Sequence, residues 1–207
     1  PNAVIGHDAT RTGTYNKTTS ASGTYQNWGL IRCQNETNNY STGTTTSDNY
    51  NFTADGTGVD FIVQDSGIQT DHPEFQDSGG SNRWSTVDWY TASGVSGSQN
   101  ANHDRDYDGH GTHCAGIAVG KTFGHAQGAK IYGQKLSGLE GTGDSGTGIS
   151  ITDAFDCIKG WHNAKSGANA GRPTVVNMSW GYNTSHNDLP SALNYRGSVK
   201  TGTDIDT

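Results

Sequence analysis

The chain is predicted to fold as an α/β domain, a parallel β-sheet with flanking helices. Two observations carry this expectation. Short apolar runs at residues 59–63, 129–136 and 174–178 alternate with helical patterns at 110–119 and 149–162, and strand–helix–strand alternation is the wiring of parallel sheets. The run at 59–63 is nearly continuous, which suits a strand covered on both faces rather than one with a wet side.

Residues 1–27 are rich in Thr, Ser, Asn and Gly with little apolar periodicity, and read as a polar N-terminal extension; residues 28–207 read as the folded domain. Trp28-Gly29-Leu30-Ile31-Arg32-Cys33 is the first apolar run, and a further polar tract reaches Asn51. Gly56-Thr57-Gly58 is a turn leading into the first core strand, which runs on to Asp65-Ser66-Gly67. Residues 76–108 form a polar loop region with a short element around Trp84, Val87, Trp89 and Tyr90. The helix at 110–119 opens after Asp108-Gly109 and ends at Gly120. Residues 129–136 read as the second core strand. The pattern at 149–162 sets Ile151, Ala154, Phe155, Ile158 and Trp161 on one helical stripe, and residues 174–178 form the third strand. Asp188-Leu189-Pro190 has the acidic cap and early proline of a helix start, while residues 197–207 carry no helix or strand signal.

Composition narrows the function. A net charge of −7 and a pI near 5.5 argue against nucleic acid as a partner, which calls for a basic face. No stretch approaches 18 consecutive apolar residues, so no membrane span is expected. Charged residues make up 16% against about 25% in an average domain. The polarity comes instead from Asn, Thr, Ser and Gly, which suits a loop-rich, externally exposed protein. Cys33, Cys114 and Cys157 are odd in number and lack CxxC spacing, so they cannot all pair internally and do not suggest a zinc site. The chain opens at Pro1 with neither Met nor signal peptide, and is expected to be processed or a piece of something longer.

In parallel sheets, sites gather at the carboxyl ends of strands. Asp65 and residues 177–181 fall at such ends, and His110 sits at a helix start. His110 and His113 are spaced to share a helix face, but the HExxH zinc motif needs Glu where Gly111 stands. Asp104-Arg105-Asp106-Tyr107-Asp108-Gly109 opens like an EF-hand loop, yet its twelfth position is Ala115 instead of a bidentate Glu. A looser calcium site from these carboxylates stays open. Gly143-Asp144-Ser145-Gly146 invites comparison with a chymotrypsin-type nucleophile, but that family is all-β with His before Asp. Ser145 also lies in a Gly/Thr loop without a strand–turn–helix elbow, and reads as a loop serine.

Four motifs in order resemble the subtilisin-like serine proteases. Asp65-Ser66-Gly67-Ile68, followed by His72-Pro73-Glu74-Phe75, resembles their aspartate motif, and Gly109 to Gly116 their histidine motif. Gly141-Thr142-Gly143 and Asn177-Met178-Ser179-Trp180-Gly181 resemble the two segments that flank the substrate backbone. Cys114 and the short 117–130 connection look closest to the proteinase K branch, and Trp28-Gly29-Leu30 looks like its mature N-terminal segment. The resemblance covers residues 28–200. It implies a subtilisin-like fold, incomplete at residue 207, and endopeptidase chemistry on a polypeptide substrate. In it His110 is the general base toward a serine hydroxyl, and Asp65 holds the imidazole tautomer and stabilises the imidazolium. Gly143, Ser179, Trp180 and Gly181 bind substrate as strand edges; Trp180 stands where a smaller apolar residue is common, which would narrow the pocket. His113 is structural in the family. The resemblance implies no cofactor for catalysis and no metal at the site. Structural calcium stays open, because Glu74 resembles a calcium-ligand position whose partner loop is absent.

The nucleophile motif of that family, Gly-Thr-Ser-x-x-x-Pro, does not occur in these 207 residues, nor does an Ala-Gly-Asn segment for the oxyanion. The serine is expected in a downstream segment, which makes the missing C-terminal part of the same protein a partner of this chain. Alone, the chain is expected to be inactive. The alternative is a catalytically inactive subtilase-like structural component of a virion or cell surface; intact Asp65 and His110 favour the enzyme. The location implied is extracellular or on a particle surface.

Overall fold

The computed structural model describes residues 9–16, 26–34, 45–136, 148–181, 192–195 and 198–201. In chain order the elements are β1 (Ala9–Asn16), β2 (Gln26–Asn27), α1 (Trp28–Gln34), β3 (Thr45–Phe52), β4 (Asp60–Asp65), α2 (Trp89–Ser93), α3 (His110–Val119), β5 (Lys130–Lys135), α4 (Ile151–Asn163), β6 (Thr174–Asn177), β7 (Ala192–Tyr195) and β8 (Ser198–Thr201). Strands β5, β4 and β6 form a parallel sheet, as the sequence predicts, with β4 between the other two. Its register sets Asp65 opposite Lys135 and Val63 opposite Asn177.

Every residue of β4 is buried, and the period-2 alternation of a strand divides its side chains between two cores. Phe61 and Val63 join Ile68, Phe75, Ile131 and the inner face of α3, Ala115 and Val119. Ile62 points the other way, into a cluster with Trp89 of α2, Tyr132, Leu136 and the α4 residues Ala154 and Cys157. Trp89 is fully buried and donates Nε1–H to the Gly133 carbonyl at 2.8 Å, which satisfies its polar end. The second core also holds a polar pair: Gln64 Nε2 donates to Gln134 Oε1 at 2.7 Å, and Gln134 Nε2 to the Ala154 carbonyl. Odd positions of β4 therefore face α3 and even positions face α4. Asp65, by parity, faces α3.

The amino end of β4 is held by charge. Asp60 is fully buried, with Lys165 Nζ at 2.6 Å and Arg172 Nε at 2.8 Å. These two cations tie the chain after α4 back to the central strand. The helices begin where side chains cap them: Ser150 accepts from the Asp153 amide at α4, and Asp88 from the Thr91 amide at α2, each taking up one orphan donor of a helix start.

Several elements differ from the sequence reading. The tract read as a polar extension contains β1, which pairs antiparallel with β3 over its whole length, from Ala9–Phe52 to Asn16–Thr45. Threonines are frequent in both strands, and β-branching suits the pleat whatever the polarity. The 28–33 run is helical, with Leu30 and Ile31 buried beside Tyr50 in a third small cluster. Phe155 is 50% exposed, and Cys157 takes the inward position on α4. Within 197–207, residues 198–201 form β8, an antiparallel partner of β7. The helix start at 188–190 lies outside the described residues.

Candidate active site

Asp65 ends β4, and its side chain is 1% exposed. Its Oδ1 accepts from the Ser66 amide at 2.7 Å and lies 2.7 Å from His110 Nδ1. His110 is the first residue of α3, and its side chain is 50% exposed. The two approach because α3 begins against β4 without side chains between them. A Cβ on Gly111 would collide with the Gly67 carbonyl and reach the Asp65 Cβ. Gly109, just before His110, holds φ +88°, a left-handed conformation that glycine adopts without penalty.

The Asp65 hydrogen bond and charge raise the His110 pKa above its ordinary value against an opposing effect of burial, with smaller help from Asp108 and Asp106. An imidazole whose Nδ1–H is held by a buried carboxylate has its other nitrogen available to take up a proton. The site can therefore act as a general base once a nucleophile is brought to the ring.

Around this pair the structure shows contacts for which the motif reading gives no role. Cys114 lies one turn along α3, its Sγ 3.8 Å from His110 Nδ1. Burial pushes its thiol pKa up, with Asp65 adding and the Ser179 hydroxyl opposing, so it stays protonated and is a poor nucleophile. Asp65, His110 and Cys114 place ligand atoms within 4.8 Å of one another, the only such group of three among the described residues. Asp65 Oδ1 and His110 Nδ1 already bond each other, so the pair fits an oriented general base better than zinc coordination, which takes four tetrahedral positions. Ser66 Oγ donates to Asp106 Oδ1 and accepts from the Gly111 amide. Asp106 also accepts from the amides of Asp108, Gly109 and Thr112. Asp106 stands four residues before the predicted helix start, outside the N-cap position next to the first helical residue, so no local signal singles it out.

The remaining candidates are dispersed. The Ser179 hydroxyl exchanges hydrogen bonds with the Asn177 amide group just beyond β6, and its influence on Cys114 sets it on the His110 side. Trp180 is half-buried against the α4-side core, and Gly181 is exposed. Gly143 lies outside the described residues. His113 is exposed on the outer face of α3, on a groove of about 1240 Å³ with Ile117, His72 and Trp84. Asp106, Gly109 and Thr112 also line that groove, while Asp65 and His110 do not. Glu74 Oε2 accepts from the Thr122 and Phe123 amides, closing the turn after α3.

Residues 56–204 match the family described as the Subtilase family, peptidase S8. A cuticle-degrading serine protease of Arthrobotrys oligospora is 38% identical over 137 residues, 64% of this chain and 29% of that protein. Proteinase R of Parengyodontium album is 33% identical over 172 residues, 82% of this chain and 38% of that protein. A crystal structure of a cold adapted subtilisin-like serine proteinase aligns at 31% identity with a TM-score of 0.47, covering 77% of this chain and 48% of that one. The chain thus spans well under half the length of these curated relatives. With the match running over most of its residues, including the segments that carry Asp65 and His110, the chain belongs to the subtilase family.

Proposed function

We propose that the chain supplies the aspartate and histidine of a serine endopeptidase whose serine comes from a segment outside these 207 residues. The observation that carries the reading is the 2.7 Å contact between His110 Nδ1 and buried Asp65, with the imidazole half exposed at the start of α3. In the proposed reaction His110 Nε2 takes the proton of the serine hydroxyl as its oxygen bonds to the peptide carbonyl carbon. The imidazolium, stabilised by Asp65, then gives that proton to the leaving amine, and a water repeats the sequence to release the acid. Gly143 and the Ser179-Trp180-Gly181 edge are assigned to the substrate backbone, which would pair with them as an added strand.

The substrate is accordingly an extended polypeptide, and the complementing partner is the C-terminal part of the same protein. No cofactor is required for this chemistry, and a calcium ion would be structural. A polar, weakly charged composition and relatives described as cuticle-degrading support an extracellular or particle-surface location. The test is to read the gene beyond Thr207 and assay its complete product on an unfolded polypeptide. A Gly-Thr-Ser-x-x-x-Pro segment and turnover abolished by His110→Ala are expected. A complete product with no such serine and no turnover would make the protein an inactive structural relative.

A further inference from the structure

We propose that Asp106 is a positioning residue for the Asp65–His110 pair, a single carboxylate that binds both the residue after Asp65 and the first turn of the helix carrying His110. The proposal rests on the general-base reading above. Asp106 Oδ1 accepts from Ser66 Oγ at 3.0 Å, from the Gly109 amide at 2.8 Å and from the Asp108 amide at 3.2 Å. Its Oδ2 accepts from the Thr112 amide at 2.9 Å and from Thr112 Oγ1 at 2.5 Å. Ser66 Oγ in turn accepts from the Gly111 amide at 2.9 Å.

The start of a helix leaves its first amides without intrahelical partners, and Gly109 has no side chain with which to cap α3. Asp106 and Ser66 together take up the Gly109, Gly111 and Thr112 amides. Ser66 is bonded covalently to Asp65, so the link fixes the position of the Asp65 backbone relative to the first turn of α3. An ordinary cap binds only its own helix; this one binds the helix and the strand.

The loop that carries Asp106 is itself held from the sheet. Ile68 donates its amide to the Asp104 carbonyl at 2.8 Å, and Lys135 Nζ donates to the Arg105 carbonyl at 2.5 Å. A Cβ on Gly67 would meet the Arg105 carbonyl at 2.5 Å, so the strand end and the loop are in direct backbone contact. Burial alone would raise the Asp106 pKa, but the hydrogen bonds from Thr112, Gly109 and Ser66 outweigh it and hold the carboxyl below the usual range. The carboxylate stays charged where five donors need it.

The experiment compares the complete gene product with Asp106→Asn, Ser66→Ala and Asp88→Asn. Asp88 caps α2 with the same chemistry, through the Thr91 amide and hydroxyl, away from the pair. The readouts are the His110 titration midpoint by NMR, the rate of phosphonylation by a fluorophosphonate, and the melting temperature. Asp106→Asn is expected to slow phosphonylation about 10²-fold, the effect of misplacing a catalytic group by roughly 1 Å, and to lower the His110 midpoint. Ser66→Ala, which changes no charge, should lower both in the same direction by less. Asp88→Asn should lower only the melting temperature. If Asp106→Asn and Ser66→Ala behave like Asp88→Asn, with rate and midpoint within twofold and 0.2 pH units (about 0.3 kcal/mol) of wild type, Asp106 is an ordinary cap and the proposal fails. A wild type that fluorophosphonate does not label sinks the protease reading instead, and the His110 midpoints of the two variants still decide the role of Asp106. Should Asp106→Asn not fold, Ser66→Ala alone carries the decision.

Discussion

At the scale of residues, the contrast in exposure between Asp65 at 1% and His110 at 50% sets the proton chemistry. The buried carboxylate favours the protonated imidazole through its hydrogen bond and charge, so the His110 pKa is raised. A general base works only when neutral. The acid limb of the rate profile should therefore lie above the ordinary histidine value of about 6.5. Asp65→Asn should bring the His110 midpoint down and slow phosphonylation about 10⁴-fold, as expected where the aspartate that fixes the tautomer is lost; NMR titration and labelling kinetics check the two effects separately. The stability linkage has the matching sign. A histidine whose folded pKa is raised stabilises the fold below about pH 6.5, and that contribution is lost as pH rises through the raised value. A melting curve measured against pH should show this loss in wild type and not in His110→Ala. Asp65 and His110 are legible in the sequence because each lies in a short motif of its own. Asp106 and Ser66 were harder to see, because their hydrogen bond joins positions 40 residues apart and no local pattern records it.

At the scale of elements, β4 decides the geometry. Its alternation sends Ile62 and Gln64 to the α4 side and Val63 and Asp65 to the α3 side. Near-continuous apolar sequence predicts burial on both faces, and parity then fixes which helix Asp65 must meet. Ile62→Ala should cost about 2–5 kcal/mol, read by denaturant titration, while leaving the His110 midpoint unchanged because it empties the opposite core. Gly111→Ala acts on the other side: its methyl would collide with the Gly67 carbonyl, pushing α3 away from β4. That variant should lose phosphonylation out of proportion to its loss of stability. Strands β4 and β5 were legible because burial left an apolar record in each, and β6 because its Val175-Val176 pair carries a β-branched signal although no residue of it is fully buried. Strands β1 and β3 were not, because their pairing is written in threonine and asparagine, which the hydrophobic pattern does not weigh. The inward position of Cys157 and the outward one of Phe155 depend on the rotation of α4 against Trp89, which helical spacing alone leaves free by about one residue.

At the scale of the whole molecule, the described sheet has β6 at one edge, hydrogen-bonded to β4 on one side. Val175 and Met178 on that edge, and Phe155 beside it on α4, are each close to half exposed. An apolar strand edge of this kind is a template for further pairing, which accords with the proposed complementing segment. Residues 1–207 expressed alone are expected to melt without a sharp cooperative transition by calorimetry and to show negligible turnover, since a triad lacking its nucleophile loses nearly all covalent catalysis. A cooperative melt together with substantial turnover would count against the division of the site.

In the proposed enzyme Asp65 and His110 form a base that acts on a serine carried elsewhere in the protein. The most direct measurement is fluorophosphonate labelling of the complete gene product, with the labelled residue located by peptide mass spectrometry. One labelled serine is expected, in a Gly-Thr-Ser-x-x-x-Pro segment beyond Thr207, with labelling lost in His110→Ala. Labelling of Ser145, or labelling that survives His110→Ala, would contradict it.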